Sequence, residues 1–291
     1  MVYTLIAYAT GAALGLAADR SGPRVRRDWP VYLRLQFVAT AALLGLVAAW
    51  RLTDPLQAVP SIAITGVSFA IVAVALLTRG GQPVGVAYLD AWSAYPNGAF
   101  WVLPVAGALV GTGASAIAAI SNALYAIPNA ASIHFLRRDA PHPQRVATSW
   151  VDQSALVALV IGLFLHLAGP APHWSRWVLV VSGPLLAFVG AALFTGSVLH
   201  PHNVDTGRTK TGLWRWLFLS GVRMAWLLPI AVITRSRDVA VVAVLSALGA
   251  PAFNPVQLAV LYRYRTATVN AAARWGWLTL PVGLVVAVAF L

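Results

Sequence analysis

Long apolar stretches follow one another along most of the chain, and each is about as long as a helix that crosses a bilayer. Such a helix needs roughly 20 mostly apolar residues. Ten stretches meet this requirement, at approximately 2–18, 30–50, 56–77, 84–110, 114–135, 149–168, 174–199, 213–234, 239–262 and 266–291. The pattern therefore predicts an all-α integral membrane protein with ten transmembrane helices, which we name spans 1 to 10 in chain order.

Basic residues are distributed unevenly between the connections of these spans. The odd-numbered connections carry 13 arginine and lysine residues and the even-numbered ones carry 4, namely Arg51, Arg176, Arg235 and Arg237. Because positive residues collect on the cytoplasmic side, the asymmetry predicts a multi-pass protein of the cell membrane (plasma or inner membrane) with both termini outside. Basic residues follow span 1 and do not precede it, so we expect a retained helix and not a cleaved signal peptide.

The ten spans divide into two sets of five on either side of a basic connection. Residues 1–136 form the first predicted repeat, residues 137–148 a cytoplasmic linker, and residues 149–291 the second repeat. Because five is an odd number, the second set enters the membrane from the opposite face, and the two repeats are expected to be inverted. Together they make one membrane domain.

Proline interrupts the fourth span of each predicted repeat, and the two breaks form the predicted substrate site. Proline removes a backbone donor and disfavours helix in the preceding residue, and in lipid such a break persists only where protein or a wet cavity surrounds it. A new half-helix then begins with an asparagine near its N-cap, and its free N–H groups suit an anion. Inversion brings both N-termini to the middle of the membrane. The alternative is that these prolines merely kink packed helices. The site residues are Pro96, Asn97 and Gly98 in span 4, and Pro251, Asn254 and Pro255 in span 9.

The first break resembles the fourth-span signature of the auxin efflux carrier family of membrane transporters. Pro96-Asn97 is followed there by an apolar stretch and a second proline, Pro104. Further similarity lies in 247–264, at 279–281, at 182–193 and at 228–229. In this resemblance Asn97 matches the asparagine that contacts substrate. The interval from Pro251 to Asn254 is one residue shorter than in the family pattern.

The resemblance implies the fold of the bile acid, auxin and arsenite carriers. In that fold helices 4 and 9 are broken and cross at mid-membrane, and the remaining helices divide into a scaffold and a moving transport domain. It also implies transport of a small organic anion by alternating access around the crossing.

Three charged residues in or beside the spans are candidates for ion or proton coupling, because intramembrane charges are costly and usually functional. Asp90 precedes the first break, Asp152 lies at the start of span 6, and Arg223 is the deepest cation, in span 8. Alternatively, Asp90 forms an interfacial salt bridge, Asp152 stabilises a helix N-terminus, and Arg223 attracts substrate or balances one of the aspartates. Three asparagines are candidates either for lining the cavity or for hydrogen bonding between helices: Asn122, Asn129 and Asn270.

Composition narrows the function classes. The chain is 59% hydrophobic and 10% charged, whereas soluble domains are about a quarter charged. It has no cysteine, which excludes disulfides and thiolate metal sites. The formal charge of +12 is spread between apolar runs, so a nucleic-acid partner is not expected. No catalytic cluster or complete metal-ligand set is recognisable, and we expect neither an enzyme nor a cofactor nor a metal.

These features lead to one main functional hypothesis and two alternatives. The main hypothesis is a secondary transporter, a permease or efflux carrier, that moves a small organic anion with a carboxylate as the favoured group, either coupled to protons or as a uniporter. Its expected partners are the anion, the lipid bilayer, a proton and a second copy of the chain in a homodimer. The alternatives are a sodium-coupled symporter of the same fold, against which the absence of glutamate counts, and a membrane receptor or scaffold with a ligand cavity.

Overall fold

A computed structural model of the 291-residue protein describes residues 1–20, 35, 39, 42–52, 55–92, 95–125, 127, 134–135, 154–197, 209–249, 252 and 280–289. The secondary structure within these ranges is helical, and none of it is β-strand.

The described α-helices correspond to parts of nine of the ten predicted spans. In chain order they are α1 (Val2–Arg20), α2 (Pro55–Leu77), α3 (Val84–Trp92), α4 (Leu103–Leu109), α5 (Thr112–Leu124), α6 (Ser154–Ala168), α7 (Trp174–Ser197), α8 (Thr209–Thr234), α9 (Arg237–Leu248) and α10 (Leu280–Val288). A π-helical turn, Gly98–Val102, leads directly into α4. Residues 42–50, in span 2, are also helical.

Three of these helices are long and apolar enough to cross a membrane. They are Ala58–Leu77 in α2, Trp174–Leu193 in α7 and Trp216–Thr234 in α8. Large apolar side chains such as Phe218 and Ile233 are mostly exposed on their surfaces, an arrangement that suits contact with lipid. The helical architecture agrees with the prediction of a membrane protein.

Small residues bring α1 and α7 into close contact over much of their length. Gly11 and Gly15 lie one helical turn apart on α1, and a Cβ atom at either would clash with the backbone of α7. The Thr195 hydroxyl of α7 donates to the Ala12 carbonyl at 3.2 Å. Because lipid is as apolar as the side chains, such close packing and hydrogen bonding hold membrane helices together.

Residues 42–52 join α6 and α7 in the same way. A Cβ at Gly162 of α6 would clash with the Leu46 carbonyl, and the rings of Trp50 and Trp174 meet edge to face at 5.9 Å. We call α1, residues 42–52, α6 and α7 the first helix group.

Most of the remaining helices pack around α9, and α3 packs on α2. We call α2 to α5, the π-helical turn and α8 to α10 the second helix group. Every residue from Val239 to Ala247 is buried, as expected for a helix that is apolar all round. The neighbours of α9 include α8, α10, α5, α4 and the π-helical turn. Its first turn is capped by Ser236, whose hydroxyl accepts from the Val239 N–H at 3.5 Å.

Both predicted breaks coincide with the ends of helices. α3 ends at Trp92, four residues before Pro96, and α9 ends at Leu248, after which Gly249 has extended backbone. Within span 5, α5 ends at Leu124 and Tyr125 forms a turn. The sequence places Pro128 shortly after this turn, and helices usually end before a proline.

Candidate functional site

Asn97 organises the start of the helix that follows the first break. Its Oδ1 accepts a hydrogen bond from the backbone N–H of Phe100 at 3.0 Å, and its own carbonyl accepts from the N–H groups of Trp101 and Val102 at 3.1 and 3.0 Å. This capping satisfies donors that a helix start leaves free. Asn97 is only 3% exposed, so the helix begins inside the protein. The π-helical form of the turn is itself frequent at functional sites.

Gly98 allows Asn122 to lie against the break. A Cβ atom at Gly98 would lie 2.9 Å from Asn122 Oδ1 and 3.3 Å from Asn122 Cβ. Asn122, which was predicted to line a cavity or to bond helices together, is thus placed in α5 directly beside the predicted site residues Asn97 and Gly98.

The two proline-containing segments contact each other. The backbone N–H of Ala252 in span 9 donates to the Tyr95 carbonyl in span 4 at 2.6 Å, and Ala252 is buried. Gly249 lies against Trp101, because a Cβ there would clash with the indole ring. The start of the second break therefore adjoins the first. The predicted site residues Pro251, Asn254 and Pro255 lie outside the described residues.

Arg223 lies fully buried on α8, with an exposure of 0%. Its Nε donates to the Leu219 carbonyl at 3.4 Å and its Nη2 to the Ser220 hydroxyl at 3.2 Å, both one turn earlier on the same helix. Nη1 has no hydrogen-bond partner in the described part of the chain. Asp238, at the start of α9, is the only acidic residue whose side chain the structure describes. Within that part of the protein Arg223 has no ion pair.

Aromatic rings pack together at the first break. Tyr125, at the end of α5, is close enough to interact electrostatically with Arg223, and its hydroxyl lies near Ser68 of α2. The rings of Tyr125 and Tyr95 meet edge to face at 4.9 Å, and Phe69 meets Tyr95 at 6.0 Å. Sequence reasoning missed Tyr125 and Ser68; the signal that could have found them is a polar residue within an apolar span.

Several buried hydrogen-bond donors at the first break and on α8 have no partner among the described residues. Three nitrogens that can only donate have no partner among the described residues: Asn97 Nδ2, Trp101 Nε1 and Arg223 Nη1. The hydroxyl of Ser121 is likewise buried without a partner among the described residues, whereas the hydroxyls of Ser68 and Tyr125 lie close to each other. Buried polar groups are normally paired, and each unpaired one costs about 1–3 kcal/mol. A ligand rich in acceptor oxygens, such as a carboxylate, would remove this cost.

A cavity of about 520 Å³ opens where α5 and α9 begin, between the two helix groups. Its volume is in the usual range for small-molecule sites. The lining on α5 runs from Thr112 to Ile120. Its rim and base are formed by Arg51, Pro60, Thr112, Gly113, Ala116, Ile117, Ile120, Arg176, Leu179, Thr234, Ser236, Asp238 and Val239.

The other predicted site residues are only partly placed. Asp90 belongs to α3, before the first break, but its side chain is outside the described set. Asp152, Asn129 and Asn270 also lie outside the described residues. Within the described ranges, no three His, Cys, Asp or Glu side chains are grouped so that they could hold a metal ion.

No protein-family model matches the sequence, and no curated protein matches it. The resemblance to the auxin efflux carriers therefore depends on the short motifs quoted above and stays a prediction.

Proposed function

We propose that the protein is a secondary transporter of a small organic anion, and that the anion binds at the first break beside Arg223. The observation that carries this proposal is the set of buried donors that have no partner among the described residues, one of which belongs to the fully buried guanidinium of Arg223. An unpaired buried charge is strongly unfavourable, so a guanidinium that has no ion pair within the described residues is suited to a ligand of opposite charge.

Carboxylate chemistry fits these donors. The guanidinium of Arg223 and the amide of Asn97 offer N–H groups, and charge-assisted hydrogen bonds to a carboxylate are stronger than neutral ones. The rings of Tyr95, Tyr125 and Phe69 supply an apolar wall for the rest of the molecule. A small cation would find no carboxylate among the described side chains of this region.

The helix contacts support an arrangement of two inverted five-helix repeats. In two five-helix repeats each span n corresponds to span n+5. Spans 1 and 7 are in contact through α1 and α7. The corresponding spans, 6 and 2, are also in contact, through Gly162 and Leu46. The contact of spans 3 and 4 corresponds to that of spans 8 and 9, and the contact of spans 4 and 5 to that of spans 9 and 10. A pseudo-two-fold axis would produce these pairs, as in transporters with inverted repeats.

Alternating access would follow from movement of one helix group against the other. The groups meet at Phe100 of the π-helical turn, where the Tyr8 hydroxyl of α1 donates to its carbonyl. Gly190 of α7 faces the same residue, and a Cβ atom there would clash with the ring. The cavity separates the groups at one end of the protein. Transport coupled to protons and uniport are both compatible with this scheme.

A ligand screen followed by a flux assay tests the proposal. Purified protein is heated with a panel of organic acids, because a ligand that binds only the folded state raises the melting temperature. Uptake of the best ligand is then measured in proteoliposomes with and without sodium. We expect sodium-independent uptake that falls at least about tenfold in Asn97→Ala, a loss equivalent to one charge-assisted hydrogen bond. Arg79→Gln, in an exposed turn, serves as the control.

Each of the other possible outcomes supports a different hypothesis about the site or the function. Undiminished uptake by Asn97→Ala contradicts the placement of the site, and uptake that needs sodium indicates a symporter. Binding without flux or exchange indicates a receptor or scaffold.

A further inference from the structure

The cavity between the helix groups carries positive charge on the side of the membrane that is predicted to be outside, where basic residues are usually rare. Arg51, Arg176, Arg235 and Arg237 are the basic residues of the even-numbered connections, and that side should be poor in them. Two of the four, Arg51 and Arg176, line the cavity. One acidic residue, Asp238, shares the lining, so the described walls carry a net positive charge.

The guanidinium of Arg51 is held in place at the rim. Its Nη1 donates to the Ser175 hydroxyl at 2.8 Å, and that hydroxyl donates to the Pro172 carbonyl at 2.6 Å. Ser175 is fully buried, so this support is shielded from water. Arg176 follows directly and is exposed. One fixed and one accessible arginine, from different connections of the chain, thus line the same opening.

The base of the cavity is apolar. Ile117 and Ile120 of α5, Leu179 of α7 and Val239 of α9 line it, and all four are buried or nearly so. Polar groups are confined to the rim, where Thr112, Thr234 and Ser236 accompany the charged residues. The cavity is therefore amphipathic, positive at its mouth and hydrophobic below.

We propose that this cavity is a second binding site, which takes a carboxylate with an apolar chain. The carboxylate of the ligand binds at Arg51 and Arg176. Its apolar hydrocarbon chain contacts Ile117, Ile120, Leu179 and Val239. This site is distinct from the one at Asn97 and Arg223. Binding here does not require transport; the role of the cavity as the antechamber through which substrate reaches the break rests on the proposed function.

Protection of arginine from chemical modification tests the second site without any mutation. Purified protein is treated with phenylglyoxal at constant ionic strength, and modification of each arginine is followed by peptide mass spectrometry. The probes are hexanoate, acetate and the neutral hexanamide. We expect hexanoate to slow modification of Arg176 while exposed Arg79 reacts unchanged. Acetate should need a concentration higher by at least about tenfold, and by about 200-fold if all four additional methylenes of hexanoate are buried, and hexanamide should not protect.

Equal modification of Arg176 with and without hexanoate would overturn the proposal, as would equal protection by hexanamide. Arg51→Gln is expected to abolish the protection of Arg176, whereas Arg235→Gln, at the same end of the protein but outside the cavity lining, is expected to preserve it. Asn97→Ala should also preserve it. This assay requires no transport. A negative result therefore contradicts the second site alone, and a negative uptake assay contradicts the transport proposal alone.

Discussion

Asn97 has two polar ends with different surroundings. Its Oδ1 caps the following helix at Phe100, whereas its Nδ2 is buried without a partner among the described residues. The oxygen therefore accounts for the structural role of the residue, and the nitrogen is the end available to a ligand. Substitutions can separate the two roles.

We predict that Asn97→Ser and Asn97→Ala differ in stability but not in transport. Serine supplies a capping oxygen, so Asn97→Ser should melt near the wild type, whereas Asn97→Ala loses the cap at a cost of about 1 kcal/mol. Both variants lack the amide nitrogen, and both should lose most of the transport of the identified acid. Melting curves and proteoliposome uptake measure the two effects. Full transport by Asn97→Ser would show that the amide nitrogen is not needed.

Substitution of Arg223 should affect stability and transport in opposite directions. Its Nη1 is buried and unpaired within the described residues, and replacing buried charges by apolar residues of similar size often stabilises a protein. We predict that Arg223→Met raises the melting temperature without ligand and abolishes transport. Arg223→Lys, which keeps the charge but not the planar fork, should restore part of the uptake. A destabilised Arg223→Met that still transports would mean that Arg223 has a structural role only.

At the scale of elements, the contact between the π-helical turn and α5 depends on the absence of a side chain at Gly98. A Cβ there would lie 2.9 Å from Asn122 Oδ1, so one of the two helices must shift in Gly98→Ala. We predict a loss of about 1–3 kcal/mol from overpacking. Asn122→Ala should recover much of this loss in the double variant, which a double-mutant cycle of unfolding measures. Additive losses would contradict the contact.

The elements were more predictable than the contacts between them. Apolar length predicted where α2, α7 and α8 lie, and proline predicted the breaks after Trp92 and Leu248, because both signals act within one segment. The proximity of Tyr125 to Arg223 depends on how α5 and α8 are rotated about their axes. Arg51 and Arg176 come from different connections, so their shared cavity follows only from the packing of the two helix groups.

At the scale of the whole molecule, the orientation in the membrane is open to a direct test. The protein contains no cysteine, so a single introduced cysteine can be labelled without background. We predict that a membrane-impermeant thiol reagent added to intact cells labels Arg235→Cys, in an even-numbered connection, but not Arg79→Cys, in an odd-numbered one. Permeabilised cells provide the control, since both should then react. The reverse pattern in intact cells would place the termini and the cavity mouth on the cytoplasmic side.

The most direct test of the central claim, that an organic anion binds at Arg223 and the first break and crosses the membrane there, is exchange. Proteoliposomes are preloaded with the unlabelled acid identified by thermal shift, and entry of the labelled acid is followed. We predict rapid exchange by the wild type and by Arg79→Gln, and none by Arg223→Met that has been shown to be folded. Exchange by Arg223→Met at the wild-type rate would contradict the claim.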